Sequence, residues 1–145
     1  NNMTVQQISV FLENRPGGLA EFTKVLSENN IDMRAMCIAE TPDFGILRII
    51  VDDVYNTMCT MKEAGYICSV TKVLAVEIPD KPGSLLRTLT VLGESNINLE
   101  YSYAFTTRKK DVAYMILRVN DNERATEVLT EHGIKLVDQD GISRL

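Results

Sequence analysis

Tryptophan is absent from this 145-residue chain, histidine occurs once, and the three cysteines stand without CxxC spacing. A single His132 cannot supply a zinc ligand set, a Ser-His-Asp triad or a Cys-His pair. Placed beside Gly133, it reads instead as a helix C-terminal residue that meets the negative end of the helix dipole. Cys37, Cys59 and Cys68 are an odd number, so they read as reduced, mostly buried thiols in a cytoplasmic protein. Long apolar runs are also missing: no stretch reaches the eighteen or more residues of a membrane span. The N-terminus lacks the basic, apolar and small-residue order of a signal peptide, and Asn1 and Asn2 ahead of Met3 look like an added remnant. Positive charge is in short supply. Fifteen Lys and Arg face twenty Asp and Glu, for a net charge of −5. Nucleic acid is therefore disfavoured as a partner, since phosphate neutralisation needs clustered cations. The one basic cluster, Arg108-Lys109-Lys110, reads as a solvated hairpin tip.

Catalytic motifs are absent as well. There is no P-loop, and no GxGxxG follows a strand. Asp52-Asp53 reads as a helix cap, and Asp138 with Asp140 as a solvated tail. Nothing selects a catalytic pair, a metal site or a cofactor, so the chain reads as a non-enzyme. What remains is 45% hydrophobic and 24% charged, the composition of a soluble globular protein.

What is present is a repeat. Asn14-Arg15-Pro16-Gly17-Gly18-Leu19 recurs 66 residues later as Asp80-Lys81-Pro82-Gly83-Ser84-Leu85. The match continues to Asn30-Ile31-Asp32-Met33 against Asn96-Ile97-Asn98-Leu99. From Val10 to Met33 it gives nine identities in 24 positions, where about one or two are expected by chance. The chain therefore divides into residues 1–70 and 71–145. Each half is about 70 residues, marginal for an independent core, so the halves are expected to pack on each other or on a second chain.

Each half begins with a strand, Val5 to Leu12 or Val73 to Ile78, marked by period-two alternation. A Pro-Gly turn follows, then apolar residues at helical spacing: Leu19, Phe22, Val25 and Leu26, or Leu85, Leu86, Leu89 and Leu92. Asn29-Asn30 and Ser95-Asn96 should end these helices, because Asn tolerates the left-handed conformation. Strands are predicted over Met33 to Ala39 and Ile46 to Val51, and over Leu99 to Phe105 and Val112 to Val119. Their turns hold Thr41-Pro42-Asp43 and the longer Thr107 to Asp111, which moves the offset to 68 downstream. A second helix opens after Asp52-Asp53 or Asn120-Asp121, with Glu123 placed for a capping box on Asn120. Its apolar stripe is Val54, Met58 and Met61, or Ala125, Val128 and Leu129. Gly65 and Gly133 stop it, and Tyr66 to Val70 or Ile134 to Val137 closes the unit. This order gives an α+β fold of two ferredoxin-like βαββαβ repeats, each a four-stranded antiparallel sheet with two helices on one face. Almost no linker separates them.

On the other sheet face, Arg48 and Arg118 share parity with Ile46, Ile50, Tyr114 and Ile116, a mixed face open to partial burial, solvation or binding. Tyr101, Tyr103 and Phe105 alternate on one strand face. An RNA-stacking platform needs RNP1 residues that are absent, so these aromatics read as packing.

A Pro-Gly turn running into a helix gathers backbone N–H groups at the positive end of the helix dipole, where a carboxylate can sit. Gly17, Gly18 and Gly83 permit close approach, and Asn14 or Asp80 stands at the rim, where Asp suits an ammonium group. The same residues also make ordinary turns. Taken with the element order, Glu13 to Leu19 followed by Asn30 to Met33, and Asp80 to Leu85 followed by Ser95 to Leu99, resemble the ACT domain, a small-molecule regulatory module of amino-acid metabolism. The resemblance covers both halves, leaving no catalytic domain over and implying a free-standing sensor or regulatory subunit.

The resemblance further implies that domains pair side by side and hold an amino-acid effector between the first turn of one and the second strand of its neighbour. Asn14, Arg15, Pro16 and Gly17 to Leu19 are then expected to face Asn98, and Asp80 with Gly83, Ser84 and Leu85 to face Asp32. Members that bind amino acids often have Asn at the second-strand position, so Asn98 fits and Asp32 departs. A homodimer or a regulated enzyme is the implied macromolecular partner. The alternative is an interaction module with an empty pocket.

Overall fold

The computed structural model describes residues 3–40, 42–105 and 107–145, with Glu40 described in its backbone only. Asn1, Asn2 and Thr41, on which sequence expectations fell, lie outside the described residues. The chain divides into a first unit, Gln6–Thr71, and a second, Lys72–Leu145 together with the N-terminal residues up to Val5.

The first unit contains β1 (Val5–Glu13), α1 (Gly18–Glu28), β2 (Met33–Glu40), β3 (Phe44–Val51), α2 (Val54–Glu63) and the start of β4 (Ile67–Pro79). Its strands lie in the order β2-β3-β1, with β4 beside β1. Antiparallel pairing sets Ile8 opposite Ile49 and Val10 opposite Leu47. These residues, with Val51, meet Phe22 and Leu26 of α1 and Met61 of α2 in one core. The period-two and period-3.6 apolar positions thus converge between the sheet and one helical layer.

The second unit takes the rest of β4, then α3 (Ser84–Glu94), β5 (Leu99–Phe105), β6 (Val112–Val119), α4 (Asn122–Glu131), β7 (Lys135–Val137) and α5 (Gln139–Ser143). Here β4 pairs with β6 on one side and β7 on the other, and β6 pairs with β5. Leu74, Val76, Ile78, Leu117 and Val119 pack on Val91, Leu92, Ala125 and Leu129. The α+β βαββαβ arrangement is present in both units.

Several expectations hold residue by residue. Asn30 and Asn96 have φ of 56° and 59°, and Gly65 and Gly133 have φ of 88° and 73°. Asp53 caps α2 by accepting from Asn56 N at 3.0 Å. His132 is the C-cap of α4, and its Nδ1 lies 2.8 Å from the Val128 carbonyl. The two strands expected on either side of residue 71 are one continuous β4. Tyr103 and Phe105 are buried, as packing residues should be.

Five details are corrected. The cap of α4 is Asp121, accepting from Arg124 N at 3.1 Å; no capping box forms on Asn120, whose Oδ1 instead accepts from Asn98 N at 3.1 Å. Leu85 and Leu86 are 41% and 68% exposed, because α3 buries Thr88, Val91 and Leu92 and so turns its first leucines outward. The C-terminal tail is only partly solvated: Asp140 is exposed, but Asp138 caps α5 by accepting from Gly141 N at 2.7 Å, and Ile142 is fully buried. Among the thiols, Cys59 is exposed and Cys37 and Cys68 are half-buried. Arg118 is partly buried rather than plainly solvated, donating to the carbonyls of Val119 and Lys72 and pairing with Glu100 at 3.8 Å.

Candidate functional site

Both Pro-Gly turns open their helices in the same way. Gly17 and Gly83 are the N-cap residues of α1 and α3, with left-handed φ of 81° and 91° and no capping side chain. A Cβ at either glycine meets nothing within 4 Å, so backbone conformation alone explains the residue type. Gly18 N donates to Arg15 O at 3.1 Å, and Ser84 N to Lys81 O at 3.3 Å. The turn therefore uses the first amide itself. The N–H groups of Leu19 and Ala20, and of Leu85 and Leu86, lie at the open helix ends where an anion is favoured.

The rim residues are held by the neighbouring hairpins. Asn14 N donates to Asp43 O at 3.3 Å, and Asn14 Nδ2 donates to Pro42 O at the same distance. At the matching place Asp80 N donates to Asp111 O at 2.9 Å. Asn14 thus ties the turn to the β2–β3 hairpin through its side chain, whereas the recorded Asp80 contact uses the backbone.

Asp32 and Asn98 stand elsewhere in their own units. Each lies just beyond the C-terminal end of the helix that its Pro-Gly turn opens, and eleven helical residues span about 16 Å. Asp32 is exposed beside a shallow cleft with Thr23, Ser27 and Asn30. Asn98 is held in a two-way exchange with Asn120, whose N donates to Asn98 O at 3.2 Å while its side chain accepts from Asn98 N. Neither unit by itself brings a turn to a second-strand residue.

What each unit does gather is a cleft on the flank of its turn. In the first unit it has about 350 Å3 and is lined by Phe11, Phe44, Tyr66 and Ile67 with Arg15 and Glu21. The Arg15 guanidinium hydrogen-bonds Glu21 and lies 3.6 Å from Glu13. The bond to Glu21, with its charge, raises the Arg15 pKa above the ordinary arginine value. Burial, aided by Glu21, pushes the Tyr66 phenol up as well. The Phe11 and Phe44 rings are 6.0 Å apart.

In the second unit the corresponding cleft has about 510 Å3 and is lined by Pro79, Lys81, Ser84, Arg87 and Ile134. Glu77, at the position of Phe11, accepts from Tyr114 Oη and pairs with Lys109 at 3.1 Å and Lys135 at 3.6 Å. The Tyr114 hydrogen bond, then the lysines, hold the Glu77 carboxyl below its ordinary range against the opposing effect of burial. Sequence reasoning named Arg15, Gly18, Gly83 and Ser84 but missed Phe11, Phe44, Tyr66 and Ile67. Reading the repeat offset across the whole unit could have found two of them, since it sets Phe11 against Glu77 and Ile67 against Lys135.

Among the described residues no group of three or more His, Cys, Asp or Glu could hold a metal ion, and no helix is long and apolar enough to cross a membrane.

The family model for the ACT domain pair matches residues 3–145. Protein BT0572 from Bacteroides thetaiotaomicron, a crystal structure, is 36% identical with a TM-score of 0.92, the match covering 99% of this chain and 98% of that one. The ligand-free regulatory subunit of aspartate kinase from Thermus thermophilus is 15% identical with a TM-score of 0.64, over 87% and 91% of the two chains. Its counterpart from Thermus flavus is 13% identical with a TM-score of 0.64, over 89% and 90%. At these identities the two kinase subunits share the fold. No curated protein matches the sequence. With nearly its whole length matched, this chain belongs to the ACT domain pair family.

Proposed function

We propose that the chain is a cytoplasmic, non-catalytic sensor or regulatory subunit that binds a free amino acid between ACT domains, residues 1–70 and 71–145 acting as the two domains. The observation that carries this reading is the repeated turn: left-handed Gly17 and Gly83 leave first-turn amides open at two equivalent helix N-termini. In the proposed site, Asn14 and Gly17 to Leu19 face Asn98, and the partner site sets Asp80 and Gly83 to Leu85 against Asp32. Backbone amides take the carboxylate, and the side-chain oxygen of Asn14 or Asn98 takes the ammonium. The fold shared with aspartate kinase regulatory subunits supports a regulatory role, exerted on a homodimer or on an enzyme partner. Regulation follows only when the effector binds one arrangement better than the other.

A thermal-shift screen with free amino acids tests this. Selective stabilisation that grows with concentration is expected, because ligand at 100 times its Kd adds about 2.7 kcal/mol to the folded state. Unchanged melting with every amino acid at millimolar concentration contradicts the sensor. A ligand-free interaction module is the second reading, favoured by the exposed Leu85 and Leu86 at the start of α3; it predicts protein capture that no amino acid alters.

A further inference from the structure

Two residues give the first-unit cleft a character that its twin lacks. Phe11 is 45% exposed and Ile67 71% exposed, with Phe44 beside them at 41%. Large apolar side chains left open around a concavity are costly to a monomer and mark a place where something apolar sits. In the second unit the equivalent pair is Glu77 and Lys135, an ion pair at 3.6 Å, so the same backbone carries charge there in place of apolar groups. Charge at the rim differs in the same way. Arg15 with Glu13 and Glu21 offers both signs together, whereas the matching positions 79, 81 and 87 hold Pro, Lys and Arg, with no acid.

We propose that this cleft binds an α-amino acid with an apolar side chain, entirely within the first unit. Arg15 pairs with the ligand carboxylate, Glu13 or Glu21 takes the ammonium, and Phe11, Phe44 and Ile67 enclose the side chain. A guanidinium has five donors in a planar fork, enough to serve Glu21 and a second carboxylate at once. The cleft volume suits a ligand of this size. The proposal goes beyond the reading above: it concerns a separate site, with its own ligand class, on residues other than the Asn14 and Asn98 wall.

The test titrates the full chain with L-phenylalanine and L-leucine, reading calorimetric heat and the δ1 methyl NMR signal of Ile67. Saturable movement of that methyl is expected, with at least tenfold weaker binding of 3-phenylpropionate, phenethylamine and L-aspartate. The double variant Phe11→Glu with Ile67→Lys rebuilds the pair seen in the second unit and should keep its melting temperature while losing at least tenfold in affinity. Binding of L-phenylalanine with a still Ile67 methyl, and affinity unchanged in the double variant, overturns the cleft and leaves the sensor standing. A titrating cleft that is indifferent to Asn14→Ala and Asn98→Ala supports the cleft and removes the turn-and-strand site instead.

Discussion

The first unit sets exposed apolar groups beside its turn where the second sets charge, although both are built on one pattern. Phe11 against Glu77, Ile67 against Lys135 and Glu21 against Arg87 are the exchanges, all on the flank of a turn whose backbone is the same in both copies. Burial shows a second exchange: Phe22 is a fully buried core residue, and its counterpart Thr88 is buried with its hydroxyl donating to Ser84 O at 3.1 Å. A duplicated fold thus keeps turn geometry and capping fixed while side chains beside the turn diverge. The lesson is that backbone requirements are shared between the copies and side-chain chemistry is not.

The two units differ most in the core. Phe22→Ala should cost about 3–5 kcal/mol of stability by lost burial and a residual cavity, measured by urea denaturation, whereas Thr88→Val should change it by about 1 kcal/mol or less. Equal losses at the two positions contradict the unequal packing. Gly17→Ala and Gly83→Ala come next. With open space at both Cβ positions, each should lose about 1–2 kcal/mol from left-handed strain alone, and a loss in only one copy would show that the turns are not equivalent.

Glu77→Gln tests the charged surface of the second unit. It removes a charge held by Tyr114, Lys109 and Lys135 and should cost about 1–2 kcal/mol near neutral pH. The folded carboxyl lies below its ordinary value, so its stabilisation is complete above about pH 4.3 and fades as pH falls through the lower folded value. The gap between the variant and the parent should therefore narrow in acid. A constant gap down to that low pH contradicts the charged network. Smallest is the shared capping: Asp53→Ala and Asp121→Ala should each cost about 1 kcal/mol, and a clear difference between them would break the symmetry assigned to the second helices.

Much of this was legible because local chemistry dictates it. Asn30, Asn96, Gly65 and Gly133 announce positive φ, and the limits of β5 and β6 follow from alternation bounded by turn residues. The misread places are those where two local signals compete. Leu85, Leu86, Leu89 and Leu92 permit more than one helical phase, and a buried Thr88 hides the true one. Asn120 and Asp121 both can cap, and pairing with Asn98 decided which does. The short α5 lacks a periodic run long enough to read. Phe11 shares its strand face with Gln7 and Ser9, Phe44 precedes the strand expected from Ile46, and Ile67 stands in a closing strand without clear alternation; only the fold brings the three to one cleft.

Capture of an amino acid by this ACT domain pair is decided by isothermal titration of the 145-residue chain with each of the twenty amino acids. Saturable heat is expected from a small apolar subset of them. No heat of binding from any amino acid, with the protein folded in the same cell, would contradict it.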